Sequence, residues 1–305
     1  MPHDHHGHAH APHADAGERR LGLAVAVNVL LTVAQIVGGL LSGSVALIAD
    51  AVHNLSDAAA LVIALAARRI ARRPADQSMS FGYRRAEVVA ALINYTVLVV
   101  ISLWLGSEAV MRLLDPPDVA GGIVMILAGV ALLIDLATAL LTWRLAREST
   151  NIRAAFLHNL ADAGSSVAVL LGGALIWAYG WHWADPVVTL VISGWILWHA
   201  MSEIGPVIRI LMLAAPREVE TGAVQRAIEA EPGIEGVHHL HVWQMDEERN
   251  SVEAHLVVAE GADFADAVRR VKARVALEFG IRHATFETET AISGCAGTGC
   301  HAGES

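Results

Sequence analysis

The sequence predicts a membrane domain of six helices joined to a small α+β domain. Three observations carry that expectation: a membrane-like composition, apolar residues gathered into six runs between Leu21 and Leu213, and mixed helix and strand periodicity after them. Of 305 residues, 54% are hydrophobic, 17% charged and 5% aromatic, with a mean hydropathy of +0.48. A soluble domain averages about 45–50% apolar and about 25% charged, so both departures point to a bilayer. The net charge of -10 argues against a nucleic-acid surface, which needs a basic stripe. Sixteen histidines against a single lysine, Lys272, are the other anomaly.

The six runs lie at about 21–41, 45–67, 87–108, 119–143, 154–178 and 186–206, each near the ~20 residues that a bilayer-spanning helix needs. No basic n-region and A-x-A site precede the first, so it does not read as a cleavable leader. Arginines set the orientation. Arg19 and Arg20 precede span 1; Arg68, Arg69, Arg72, Arg73, Arg84 and Arg85 crowd the loop after span 2. Arg144, Arg147 and Arg153 lie between spans 4 and 5, and Arg209 and Arg217 follow span 6. The opposite loops carry only Arg112. Positive charge stays inside, which places both termini in the cytoplasm. Trp177, Trp181 and Trp183 suit an aromatic belt at the outer interface.

Residues 1–18 read as a His-rich cytoplasmic tail, with six histidines and almost no large apolar side chain. Such a segment buries too little to fold and serves either as a labile metal collector or as a solvated tail. The membrane domain occupies 19–212 and the small domain 213–292. In the latter, Pro216–Ala230 has helical spacing, with Pro216 suited to a first turn. Val237–Met245 and Ser251–Ala259 read as strands, Asp263–Phe279 as a helix and Arg282–Thr290 as a third strand. The order αββαβ fits a two-layer unit. Between 211 and 305 there are 16 acidic and 8 basic residues, so this part is acidic. The tail 293–305 holds both cysteines, Cys295 and Cys300, beside His301. A cytoplasmic disulfide is not expected; the pair suits a soft-metal site or is chemically inert.

The decisive feature is a repeated pentapeptide. Span 2 carries His53-Asn54-Leu55-Ser56-Asp57 and span 5 carries His158-Asn159-Leu160-Ala161-Asp162. Four residues advance a helix by about 400°, so His and Asp share a face one turn apart. Two such helices face to face would supply two imidazoles and two carboxylates, a tetrahedral set for a small divalent cation. An ionisable residue at the bilayer centre costs at least roughly 2.5–3.5 kcal/mol and marks function by default. One such motif alone also suits a polar pair between helices; two near-identical copies in two membrane helices favour the metal reading over that pair. Asp50, two turns before Asp57, suits a ligand met on the way in, an acceptor behind the coordinating residues, or a hydrogen bond that fixes a helix end. Asp135, Asn28 and Gln35 suit either a hydrated pathway or plain interhelical hydrogen bonds.

These residues resemble the cation diffusion facilitator family of zinc transporters. The resemblance rests on SGSVALIADAVHNLSD at 42–57, FGYRRAEVVAALIN at 81–94, FLHNLADAGSS at 156–166, VHHLHVW at 237–243 and HATFETE at 283–289. It implies a homodimer in which each membrane half carries one transport site, and a ferredoxin-like cytoplasmic domain of metallochaperone type. The transport ligands would be His53, Asp57, His158 and Asp162. Cytoplasmic regulatory sites would fall near His238, His255 and His283, with His241, Glu289, Cys295 and Cys300 as weaker candidates. The loop between spans 4 and 5 lacks the histidine run of some relatives, and that between spans 2 and 3 has Asp76 but no histidine.

The expected function is therefore export of Zn²⁺ (Cd²⁺ or Co²⁺ being tolerated by the same ligands) in exchange for H⁺, across what is expected to be a bacterial inner membrane. No G-x-x-x-x-G-K-[ST] loop is present, so ATP is not the expected energy source. No H-E-x-x-H suggests a metalloenzyme. The alternative is a membrane metal sensor or storage protein without flux, which leaves the paired motif without a purpose.

Overall fold

The computed structural model describes residues 13–143 and 150–290, without the side chains of 13–26, 141–142, 150–152, 154–155 and 158. Six long helices come first: α1 (His13–Ser42), α2 (Val45–Ala71), α3 (Ala86–Leu114), α4 (Gly121–Trp143), α5 (Thr150–Tyr179) and α6 (Ala184–Leu211). Each coincides with one of the six apolar runs. Helices α2 to α6 contain stretches long and apolar enough to cross a membrane. In α1 the described apolar stretch is the shorter Val27–Ser42. Helix α1 begins at His13, inside the segment expected to lack structure.

The second group is α7 (Thr221–Glu229), β1 (Ile234–Gln244), β2 (Asn250–Val258), α8 (Phe264–Phe279) and β3 (His283–Glu289). The order αββαβ is the expected one. The start of α7 is not: Pro216 does not open the helix. Its carbonyl accepts from Val219 N at 3.1 Å in a turn, and Glu220 takes the cap position. Helix α8 begins as its sequence suggests, with the Asp263 carboxylate accepting from Ala265 N and Asp266 N. It ends at Gly280, whose φ of 68° needs no Cβ.

The chain forms two compact units, with α2, α3 and α6 contributing to both. The first comprises α1, α2 to Val62, α3 from Thr96, α4, α5 and α6 to Met201. Helices α4 and α5 are its most extensive pair, and small residues let their backbones close. A Cβ on Gly121 would lie 2.7 Å from both Gly173 O and Trp177 N. This is the small-residue contact that holds membrane helices together where lipid offers no hydrophobic drive. Leu133, Leu140 and Leu171 stay exposed, as side chains facing hydrocarbon do.

The second unit contains Ile63–Tyr95 and the chain from Ser202. Val88 of α3 packs with Val207 and Ile210 of α6. The loop between α2 and α3 is braced by Asp76, which accepts from Tyr83 Oη at 2.6 Å and from Ser78 and Met79 N–H groups. Those bonds, Tyr83 first, hold its carboxyl well below the ordinary carboxylate range. In the αββαβ part, β1 pairs antiparallel with β2 and β2 parallel with β3, in the order β1-β2-β3. Val252, Ala254, Leu256 and Val258 alternate into the core, as the sequence predicts, against Ala267, Val271 and Val275 of α8. Arg85 Nε donates to Met245 O at 2.9 Å, and Asp246 accepts from Arg249 Nε at 2.6 Å.

Two outcomes check this packing. Gly121→Ala is expected to lower the thermal unfolding midpoint of the detergent-solubilised chain. Gly194→Ala, whose Cβ meets nothing within 4 Å, is expected to leave it unchanged. Burial pushes the Asp246 carboxyl up, but the Arg249 guanidinium and backbone N–H groups outweigh that and hold it below its ordinary value. A depressed pKa stabilises above the ordinary value, and the gain is lost as pH falls through it. Amide exchange in the β1–β2 turn is therefore expected to rise below about pH 4, and to lose that dependence in Asp246→Asn.

Candidate metal centre

Helix α2 projects His53 and Asp57 from one face, and α5 carries His158 and Asp162 one turn apart. His53 Nε2 lies 3.8 Å from an Asp57 oxygen and 3.4 Å from an Asp162 oxygen. The three ligand atoms all lie within 4.8 Å of one another. Ligands about 2.0–2.2 Å from a tetrahedral ion stand roughly 3.3–3.6 Å apart, so the observed separations need only small adjustments to close on one ion. Two carboxylates this near repel each other, and a divalent cation between them removes the repulsion. His158 lies on α5, but its side chain falls outside the described residues.

A polar brace stands behind this cluster. Asp50, 1% exposed, accepts from Gln35 Nε2 of α1 at 2.7 Å and from Ser165 Oγ of α5. Ser165 Oγ also lies 2.9 Å from the Asp162 carbonyl. One carboxylate thus ties α1, α2 and α5 beside the ligands. Asp135 of α4 accepts from Ser166 Oγ at 2.9 Å, which fixes α5 from its other neighbour. Thr32 Oγ1 closes on the Asn28 carbonyl in α1.

The sequence reading passed over Asp185. Its carboxylate, on the first turn of α6, accepts from Ser44 Oγ and from Val45 N at 2.9 Å. It caps α2 from a helix about 140 residues away, and only an acid opening an apolar run hinted at it. Arg112 donates to Gly43 O at 2.6 Å. Together they fix where α2 begins, and hence the height of His53 and Asp57. His182 Nδ1 accepts from Val119 N at 3.1 Å, a loop contact.

A second cluster lies on the three-stranded sheet. His238 of β1 stands opposite His255 of β2, and Glu289 of β3 touches His238. These three offer ligand atoms within 4.8 Å of one another. His283 does not join them. The parallel register sets His283 against Ser251 and Glu287 against His255, so His283 sits about 13 Å down its strand, where its ring meets Phe81. Glu289, a weaker candidate by sequence, takes its place. An irregularity between His238 and His241 inserts one extra residue in β1, with His239 at a φ of 55°. Bulges re-aim side chains. Here the His239 ring lies 5.2 Å from that of His255 and 5.3 Å from that of His241. His241 itself is exposed opposite Glu253. Cys295 and Cys300 lie outside the described residues, as do the N-terminal histidines up to His10.

Comparison with known proteins covers nearly the whole chain. Residues 21–212 match the cation efflux transmembrane domain, and residues 216–291 match the cytoplasmic domain of cation efflux proteins. The zinc transporter ZitB of Escherichia coli is 34% identical, over 100% of this chain and 97% of its own. The metal cation efflux system protein CzcD of Cupriavidus metallidurans is 33% identical, over 93% and 90%. A cadmium, cobalt and zinc/H⁺-K⁺ antiporter of Bacillus subtilis is 33% identical, over 84% of each chain.

The brace makes a measurable claim. Asp50→Asn is expected to weaken zinc binding at the membrane cluster by about 10–100-fold, the usual cost of losing a group that orients ligands. Isothermal titration of the purified chain in a His238→Ala background, with the N-terminal histidines and Cys295 and Cys300 also replaced, isolates that site.

Proposed function

We propose, on the premise that the chain belongs to the cation efflux family, that it exports Zn²⁺ from the cytoplasm in exchange for protons. It is an integral, multi-pass membrane protein. The observation that carries the proposal is the membrane cluster of one imidazole and two carboxylates whose ligand atoms lie within 4.8 Å of one another, on two helices that each bear the same His-x-x-x-Asp pattern. His158 supplies the fourth ligand in this reading. Two nitrogen and two oxygen donors favour Zn²⁺ and accept Cd²⁺ or Co²⁺, whereas an all-oxygen set would favour Mn²⁺ or Mg²⁺. The names of the three relatives are consistent with that metal set.

The driving force follows from ligand chemistry. Ligands bind metal only when deprotonated, so binding Zn²⁺ releases protons and reprotonation releases Zn²⁺. Imidazole, with an unperturbed pKa of about 6.5, makes that exchange near neutral pH. A proton gradient then empties the site on the outer face and leaves it ready to load on the inner. Rocking of the helices that carry the ligands presents the site to each side in turn. Transport of this kind involves no catalysed covalent step.

Further parts of the reading concern the architecture. Six spans, with α1 as the first, put both termini in the cytoplasm and the chain in a bacterial inner membrane. The αββαβ domain, of ferredoxin-like type, joins two copies into a homodimer. His238, His255 and Glu289 hold a regulatory Zn²⁺ there, with His239 and His241 beside them. The match to the cytoplasmic cation efflux domain supports the dimer. A sensor or storage protein without flux is the second reading, favoured only by the sheet cluster.

Uptake of zinc into everted vesicles, read by an enclosed dye, separates the two. The wild-type chain is expected to drive uptake that depends on an imposed pH gradient, and Asp57→Ala to abolish it. Uptake that survives Asp57→Ala contradicts the exchange mechanism. Binding without uptake in the wild type establishes the sensor.

A further inference from the structure

The second unit contains a cavity that the metal chemistry does not use. It measures about 900 Å³, at the upper end of the range for ligand pockets. Its walls are Ile63 and Ile70 on the last turns of α2, Val89 and Ile93 on the first turns of α3, and Phe81 and Trp243. They are overwhelmingly apolar. Phe81 is 65% exposed and Ile93 50%, so the cavity presents large hydrophobic side chains that the chain itself does not cover. Beside it, sharing Phe81, Tyr83, Arg84 and Arg249, lies a cleft of about 410 Å³. That cleft is lined by four arginines, Arg72, Arg73, Arg84 and Arg249, and by no acid.

The nearby carboxylates answer Arg84 and Arg249 and leave Arg72 and Arg73 without an ion pair among the described residues. Asp246 is buried against Arg249, and Arg84 stands 3.8 Å from it and 3.6 Å from the exposed Glu248. Asp76 is committed to Tyr83, Ser78 and Met79. Arg73 rests over the Tyr83 ring, and Arg68, Arg69 and Arg72 are exposed on the final turns of α2 and just beyond. An apolar chamber thus opens onto a cationic one at the ends of two helices that are long and apolar enough to cross a membrane.

We infer that this pair of chambers is a binding site for an anionic phospholipid. Acyl chains fill the apolar chamber and the phosphate meets the arginines of the cleft. Three features select this occupant. Ile63, Ile70, Val89 and Ile93 of the apolar wall stand on helices long and apolar enough to cross a membrane, so its ligand reaches it from the bilayer. The polar end is cationic, matching a negatively charged headgroup at the interface. Guanidinium groups bind phosphate oxygens in a forked geometry, and Arg72 and Arg73, which no carboxylate pairs among the described residues, line the cleft. Because the loop 76–83 is braced by Asp76 and carries one wall, the site is formed before its ligand arrives. The inference rests on the membrane reading and not on transport.

Native mass spectrometry of the full chain in detergent, titrated with phosphatidylglycerol and with phosphatidylcholine, tests it. The wild type is expected to hold one phosphatidylglycerol per chain about tenfold more tightly than phosphatidylcholine, since each arginine near an anionic headgroup contributes. Arg72→Glu combined with Arg73→Glu is expected to erase that preference. Ile93→Trp, which fills the apolar chamber, is expected to reduce retention of both lipids. Zinc binding at the membrane cluster, measured on the same samples, reports that each variant is folded; a variant that loses it is replaced by Arg72→Ala or Ile93→Phe. Equal retention of the two lipids by the wild type overturns the inference. So does unchanged phosphatidylglycerol retention in both variants. Loss of the dimer in Ile93→Trp with lipid retention intact would assign the cavity to a second copy of the chain instead.

Discussion

Two carboxylates held within 4.8 Å of each other between membrane helices are the constraint around which the rest is built. Like charges this close in a low-dielectric setting repel strongly. The arrangement is tolerable only if an imidazole, a proton or a metal ion stands between them. A site of this kind cannot be a passive packing device, because apolar residues of the same volume would stabilise the helix pair better. Its persistence in the interior of α2 and α5 is what ties the sequence pattern to ion chemistry.

The remaining polar residues of the first unit serve the position of that pair. Asp185 and Arg112 fix the start of α2. Asp50 joins α2 to α1 and α5 a few residues before the ligands, and Asp135 holds α5 to α4. Close backbone approach at Gly121 and Gly173 keeps α4 and α5 in register. Ligand separations are thus set by hydrogen bonds at several heights rather than by one contact.

Much of this was legible in the sequence because its signals are local. Apolar run length marked all six long helices, the repeated pentapeptide marked His53, Asp57 and Asp162, which the structure brings together, and alternation at Val252, Ala254, Leu256 and Val258 marked β2 and its buried face. What escaped was non-local. Asp185 caps a helix far away in sequence, and nothing near it names that partner. Glu289 rather than His283 meets His238 because the parallel β2–β3 register decides it, and register depends on how the crossover helix α8 docks. His239 joins the histidine cluster through one extra residue in β1, whose effect on side-chain direction no pattern of twos reveals. Pro216 fits a helix start or a turn equally well by local chemistry, and the turn won.

The central claim is that His53 and Asp162, on different helices, serve one ion. A double-mutant cycle of zinc affinity measures this directly, comparing His53→Ala, Asp162→Ala and the double variant in a His238→Ala background that also lacks the N-terminal histidines, Cys295 and Cys300. A shared ion predicts strong coupling, with the double variant losing little more affinity than either single one. Losses that simply add would show that the two residues act independently and would contradict a single site between α2 and α5.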